Sequence, residues 1–300
     1  MRLRVRCLGV VAAVLVAGVA LAGPPAGEPL RLGVVSFYNP RLMYLKYQPL
    51  VDYLTQRTGR QWELTISGSY DATVADLCSG RLAVAYLGPF TYVRAQRACG
   101  ATPVVQLQTH GQATYRAQIM VRADSTISSV AELRGGSFGF GAPLSTSSHV
   151  VPRGMLEAAG LRVGTDVRCR YYGHHERAAR AVLLGEVDAC GVRDIVGARF
   201  VDRGLRLLAA SDPIPNFPLV VGPTASVDLR RGLVRVLVEE PATDPATRRT
   251  VAGWDEELAG GFALPPDNVF EQVRATAIRV LGPRALFAPE AELECGAGNR

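Results

Sequence analysis

The sequence predicts an α/β chain folded as two lobes, and three observations carry that prediction. Short apolar, strand-like runs alternate with amphipathic helical stretches from Leu30 onward, the grammar of sheets flanked by helices. That alternation is laid out twice, and a turn-rich stretch from Ser211 to Pro218 then precedes a strand that returns to the first lobe. A chain of 300 residues, 48% of them hydrophobic, can also fill two ordinary cores.

In the first lobe, Leu30 to Ser36 reads as a strand, Tyr44 to Thr58 as a helix ended by Gly59, and Trp62 to Ser67 as a second strand. Asp71 to Ser79 is a helix stopped by Gly80, Leu82 to Leu87 a buried strand, and Pro89 sits where proline opens a helix. Thr114 to Arg122 alternates as a long strand leaving this lobe. In the second lobe, Ser129 to Leu133 is a short helix and Ser137 to Gly141 a strand. The helix Pro152 to Ala159, the strand Val167 to Tyr172, the helix Glu176 to Leu184 and the strand Val187 to Val192 follow. Leu205 to Ala210 ends the set, Leu219 to Val221 goes back to the first lobe, and helices follow from Leu229. The expected division is residues 23–118 in the first lobe, 119–217 in the second, and 218–300 returning to the first with terminal helices. Each lobe is expected to be a mixed, mainly parallel sheet flanked by helices, joined by two hinge crossings.

Residues 1–22 read as an export signal. Arg2, Arg4 and Arg6 precede the apolar run Leu8 to Val19, and Ala20-Leu21-Ala22 before Gly23 is a small-x-small cleavage site. The run is shorter than the roughly 20 residues of a spanning helix, and Cys7 lacks the small-residue lead-in of a lipid-modified cysteine. The expectation is a cleaved leader and a periplasmic protein. Loss of the three arginines lowers the net charge from +6 to +3. With no basic stripe carrying interleaved aromatics, that balance gives no footprint for nucleic acid. A monomer without cofactor or metal is expected.

Five cysteines follow the leader. Export permits disulfides, and the positions of predicted elements suggest Cys78 with Cys99 and Cys169 with Cys190, leaving Cys295 free. No two cysteines have the close spacing of a zinc ligand pair.

Open α/β sheets bind ligands beyond the carboxyl ends of their strands, which directs attention to the loops there. After Ser137 to Gly141 comes Ala142-Pro143-Leu144-Ser145-Thr146-Ser147-Ser148, four hydroxyl residues before a helix. Unpaired amides, the positive end of the helix dipole and hydroxyl donors together suit an anion; an ordinary serine-rich N-cap is the competing explanation. His175 opens another helix directly after a strand and adds a donor, while its neighbour His174 is expected to face solvent.

These residues resemble the phosphate/phosphite/phosphonate-type periplasmic binding proteins, a branch of the type 2 solute-binding fold, over nearly the whole mature chain. The matching segments are Ser145-Thr146-Ser147 with Pro152, His175 to Ala179 with Gly185, Val187 and Asp188, Tyr70 with Gly88-Pro89, and Ser211 to Pro215. The resemblance implies a binding protein that captures a phosphonate, phosphite or phosphate-like oxyanion between its lobes for the permease of an ABC importer. Ser145, Thr146 and Ser147 would hold the oxygens, and Tyr70 and His175 would add hydrogen bonds. Ala83 stands where the family often has aspartate, and Phe217 where an acid for a ligand ammonium would be sought. Asp194 is the remaining acid, with a helix cap or surface residue as its alternatives. These departures favour a small ligand without an amine.

Three rivals stay open. A serine, a histidine and an aspartate could be cast as a nucleophilic triad, although no nucleophile-elbow glycines surround Ser145 or Ser147. The same fold could present ligand to a membrane sensor kinase, or bind another small anion.

Overall fold

The computed structural model describes residues 27–295; the predicted leader and its cleavage site lie outside them. The elements, in order, begin with β1 (Leu30–Val34), α1 (Pro40–Thr58), β2 (Trp62–Ile66), α2 (Tyr70–Cys78), β3 (Val84–Tyr86), α3 (Pro89–Cys99) and β4 (Thr102–Leu107). β5 (Thr114–Tyr115), β6 (Ala117–Arg122), β7 (Ser137–Phe140), α4 (Val151–Ala158), β8 (Arg168–Tyr171), α5 (His175–Leu183) and β9 (Ala189–Arg193) follow. The chain continues through α6 (Asp194–Val201), β10 (Leu205–Ala210), β11 (Ile214–Pro215), β12 (Pro218–Val221) and α7 (Val227–Val234). It ends with α8 (Glu240–Thr243), α9 (Pro245–Ala252), β13 (Phe262–Ala263) and α10 (Glu271–Leu281).

Two sheets carry the lobes. The first has six strands in the order β13-β4-β12-β3-β1-β2 and the second five in the order β10-β6-β9-β7-β8. Both are mixed, as expected, but antiparallel pairing has a larger share than anticipated. In the first sheet β12 runs antiparallel to β3 and β4, and in the second β6 runs antiparallel to β9 and β10. The long strand expected over Thr114 to Arg122 breaks at Arg116 into β5 and β6. β5 pairs instead with β11, so the two crossings between lobes lie side by side as a two-stranded ribbon. Further bonds stitch the crossings together: the Ala117 amide donates to Ser211 Oγ and the Ser211 amide to the Ala117 carbonyl.

Local rules account for most helix starts. Asn39 Oδ1 accepts from the Leu42 amide at 3.0 Å and Pro40 follows at the first helical position, so α1 begins four residues before the expected Tyr44. Ser69 caps α2 by accepting from the Ala72 amide at 3.1 Å, which sets Tyr70 at the first helical position.

The cysteines pair differently from expectation at one site. Cys78–Cys99 joins α2 to α3, as anticipated. Cys169 pairs with Cys295, and among the described residues Cys190 is the free, buried thiol. The reason is strand order: β7 lies between β8 and β9, so Cys169 and Cys190 stand two strands apart. That is roughly 9 to 10 Å, beyond the span a disulfide can bridge. Cys295 also shows that the C-terminal segment does not stay with the first lobe. The Glu290 amide donates to Asp71 Oδ2 on α2 at 2.8 Å, and the bond to Cys169 then fastens the chain to β8 of the second sheet.

Peptide mapping of oxidised protein without reduction is expected to recover Cys78 with Cys99 and Cys169 with Cys295, and thiol labelling should reach Cys190 only after denaturation. Recovery of Cys169 linked to Cys190 would contradict this strand order.

Candidate functional site

The four hydroxyls after β7 have different employments. Ser145, in extended conformation, caps the helical turn by accepting the Ser148 amide on Oγ at 3.1 Å. The turn Thr146–Val150 is a π-turn: the His149 and Val150 amides both donate to the Ser145 carbonyl, at 3.2 and 3.1 Å. Such widened turns cluster at functional sites. Ser148 is spent on the fold, accepting the Gly141 amide at 2.7 Å and donating to the Gly191 carbonyl. This contact needs a glycine, since a Cβ at Gly141 would lie 2.7 Å from Ser148 Oγ. Thr146 and Ser147 occupy the first turn, where amides have no intrahelical acceptor.

His175 fixes the role of Ser145. Its Nδ1 accepts the Arg193 amide at 3.1 Å, so the ring proton resides on Nε2 and is donated to Ser145 Oγ at 3.0 Å. Ser145 Oγ therefore accepts twice, and its own proton is left to donate. Burial, and then the Arg193 and His174 charges, lower the His175 pKa to about 3. A base in a nucleophilic triad would accept from the serine and donate Nδ1–H to a carboxylate. Here both roles are reversed, which makes this contact a donor relay rather than a triad.

The first lobe meets this turn with a second helix start. The Phe90 amide, in the first turn of α3, donates to Thr146 Oγ1 at 2.9 Å, and Thr91 Oγ1 donates to the Leu144 carbonyl at 3.3 Å. Two positive helix ends thus face one another across the cleft, a setting that favours an anion between them. Tyr70 and Tyr115 converge on the same place. Burial pushes the Tyr70 hydroxyl well above its ordinary pKa, with the adjacent Ser145 hydroxyl opposing it weakly. Burial likewise raises Tyr115 to about 12, against Arg193 and the neighbouring Ser147 and Thr146 hydroxyls. Both are protonated donors, and the buried Tyr115 hydroxyl has no hydrogen-bond partner among the described residues.

The floor of the cleft is a buried ion pair between the lobes. Arg193, at the end of β9, donates to Glu257 Oε1 at 2.7 Å and to Asn216 Oδ1 at 3.0 Å. Tyr47 and Tyr86 donate to the same carboxylate oxygen at 3.1 and 3.0 Å. Neither charged side chain has any exposed surface. Burial alone would lower the Arg193 pKa, but Glu257 holds it above its ordinary value. The guanidinium lies 4.5 Å from the Phe217 ring centroid and 4.7 Å from that of Tyr115, and Phe217 stacks on Tyr86 at 5.1 Å.

Of the six residues expected to form the site, Tyr70, Ser145, Thr146, Ser147 and His175 gather at this junction. Asp194 is employed elsewhere: its two oxygens accept the Arg116 and Ile195 amides, both at 2.8 Å, so at the first position of α6 it ties that helix start to a hinge crossing. His174, expected to face solvent, reaches across the cleft to the Ser36 carbonyl, with Nδ1 at 3.2 Å. Tyr115, Arg193, Asn216 and Glu257 were not foreseen. Only Arg193 left a trace, as a charge ending a strand of buried apolar residues. The loop holding Glu257 carries no sequence signal for its partner.

Comparisons with known proteins follow this geometry. A protein-family model described as "ABC transporter, phosphonate, periplasmic substrate-binding protein" matches residues 32–262. The phosphate-import protein PhnD of Mycolicibacterium smegmatis is 26% identical over 189 residues, and the chain spans 59% of that relative's length, itself 59% of this chain. A binding protein of a Pseudomonas aeruginosa ABC phosphonate transporter superposes with a TM-score of 0.76 at 18% identity, covering 91% of this chain and 97% of the other. PhnD1 of Prochlorococcus marinus, solved in complex with methylphosphonate, gives 0.75 at 15% identity, covering 85% and 99%. At such identities these superpositions establish a shared two-lobed fold.

Truncating one member of the buried pair, as Arg193→Met or Glu257→Gln, is expected to destabilise the protein by about 3–5 kcal/mol in urea unfolding, because it strands the other charged or polar partner. The double variant Arg193→Met with Glu257→Leu should recover much of that loss.

A pH dependence follows from His175 and from His149, which donates Nδ1–H to the Pro143 carbonyl at 2.6 Å, accepts from Tyr171 at 2.8 Å, and is lowered by burial to about 3. Both rings are neutral in the fold. Between pH 6.5 and 3 the unfolded chain binds more protons, so stability falls as pH decreases through that window, by up to about 1.4 kcal/mol per pH unit for each histidine. Unfolding measured from pH 7 to 5 should show this slope, and His149→Gln with His175→Gln should flatten it.

Proposed function

The chain belongs to the family of periplasmic substrate-binding proteins of phosphonate ABC transporters, and we propose that it captures a phosphonate, phosphite or phosphate-like oxyanion between its lobes. In this reading Ser145, Thr146, Ser147, Tyr70 and His175 form the cradle, with Tyr115 added. The observation that carries it is the opposition of two helix starts across the Thr146–Phe90 contact, with Ser145 held by His175 so that its hydroxyl points its proton outward. Every donor in this set is neutral, and the nearby Arg193 is compensated by Glu257. Affinity would then come from amide and hydroxyl hydrogen bonds to a charged ligand, each worth about 1.5–3 kcal/mol.

The family is one of binding proteins, not enzymes, and the reversed hydrogen-bond roles at His175 accord with that. The ligand class is supported by the phosphate import named for the mycobacterial relative and the methylphosphonate held by the cyanobacterial one. A ligand without an amine fits best, because Asp194 is engaged with backbone amides, Glu257 is neutralised by Arg193, and Phe217 lines the floor. The lobes would comprise residues up to about 118, 119–217, and the return from 218, opening and closing about the β5–β11 ribbon. We further propose that the chain is exported with cleavage after Ala22, acts as a monomer, and passes its ligand to an importer permease.

Calorimetry against phosphate, phosphite, methylphosphonate and sulfate tests this. The wild type should bind at least one phosphorus oxyanion, and Thr146→Ala with Ser147→Ala should weaken that binding at least about tenfold while leaving the unfolding midpoint near that of the wild type. Equal binding by the double variant would remove these hydroxyls from the site.

A further inference from the structure

One cavity begins where the cradle ends. A groove of about 340 Å³ is lined by Thr146 at its inner end, by Val150, Val151, Met155 and Ala158 along α4, and by Val273 on α10. Ile214 and Pro215 of the hinge ribbon close its floor. Most of its lining is apolar, and Ser211, Asp212, Gln272, Thr276 and Arg279 add polar groups to it. At 1.5 Å rise per residue, the wall from Thr146 to Ala158 runs roughly 18 Å. That is far longer than a methyl or a bare oxyanion would use.

Resting on the oxyanion reading above, we infer that this groove houses the uncharged aliphatic substituent of an organophosphonate whose phosphonyl group sits at Ser145 to Ser147. The occupant is set by continuity: Thr146 belongs both to the cradle and to the groove, so a headgroup held at the π-turn has its substituent directed along α4. It is set also by chemistry. A charged or amine-bearing chain would lie against Val150, Ile214 and Val273, each of them buried, and would shed hydration along them, with Asp212 the acid of the lining that it could meet. An alkyl chain gains there. The lining comes from the hinge ribbon, α4 and α10, so a substituent in the groove touches all three. A small oxyanion touches only the cradle.

The test is a chain-length series of methyl-, butyl- and octylphosphonate, titrated by calorimetry into the exported full chain. Affinity is expected to rise by roughly two- to fourfold per added methylene until the groove is filled, the upper figure corresponding to about 0.8 kcal/mol per buried methylene. Ala158→Trp, which blocks the groove from α4, should abolish that rise and leave methylphosphonate binding at the wild-type value. Thr276→Trp does the same from α10, so the test survives if one variant fails to fold. If methylphosphonate binds and octylphosphonate binds no tighter, the groove inference falls while the cradle stands. Retention of the gain in both tryptophan variants also overturns it. If phosphate or phosphite binds but no member of the series does, the groove inference falls while the cradle stands; if none of these oxyanions binds, the oxyanion reading fails and takes the groove with it. A groove that instead seats a second copy would show as a dimer in sedimentation, broken by Ala158→Trp, with no effect of chain length, and that outcome too overturns the inference.

Discussion

The structure depends on the ion pair between Arg193 and Glu257. Burying two charges completely costs several kcal/mol each, and that cost is offset only where the geometry is good and the remaining hydrogen-bond capacity is used. Here Asn216 accepts from the guanidinium, and Tyr47 and Tyr86 donate to the carboxylate oxygen that Arg193 also bonds, while Arg193 Nε and Glu257 Oε2 stay unpartnered among the described residues; two aromatic faces flank the guanidinium. Because Arg193 ends a strand of the second sheet while Tyr47 and Tyr86 belong to elements of the first, the pair is satisfied only with the lobes together. The backbone amide of the same arginine orients His175. One residue thereby links lobe closure to the state of the cradle.

From that link the logic of the binding turn follows. An imidazole that accepts from a backbone amide can be only a donor on its other nitrogen, so Ser145 must turn its proton away from the ring. The π-turn adds two hydroxyls, and α3 brings a second set of amides. Under the proposed function, donors that carry no charge would recognise an anion by the number and direction of hydrogen bonds rather than by charge alone. A neutral cradle also leaves the closed cleft without an uncompensated cation to bury when no ligand is held.

The disulfides reinforce this arrangement from outside. Cys78–Cys99 fixes α2 relative to α3, the two helices whose first turns carry Tyr70 and Phe90. Cys169–Cys295 fastens the C-terminal segment across the lobes, alongside the Tyr171 hydroxyl, which approaches the Leu293 carbonyl at 3.3 Å and His149 at 2.8 Å. His149 in turn holds the Pro143 carbonyl at the start of the cradle loop. The terminal strap, a buried histidine and the binding loop are thus one connected structure.

The sequence by itself determined the local elements and singled out Ser145, Thr146, Ser147, Tyr70 and His175 as residues at one loop cluster. Caps, first-turn prolines, terminal glycines and apolar alternation act between neighbours in the chain, so the helices and strands around Ser145, His175 and Tyr70 were legible, as was the run of four hydroxyls at a helix start. Only the tertiary structure decided which of those hydroxyls face the cleft, because Ser148 is consumed by Gly141 and Gly191 from other strands. It also decided that Asp194 staples the hinge and that Cys169 reaches Cys295, since strand order sets which side chains become neighbours and strand order is not written in any local pattern. The pairing of Arg193 with Glu257 is the extreme case. Its residues are 64 apart, and the ion pair exists only because the end of a strand in the second sheet meets a loop beside the first.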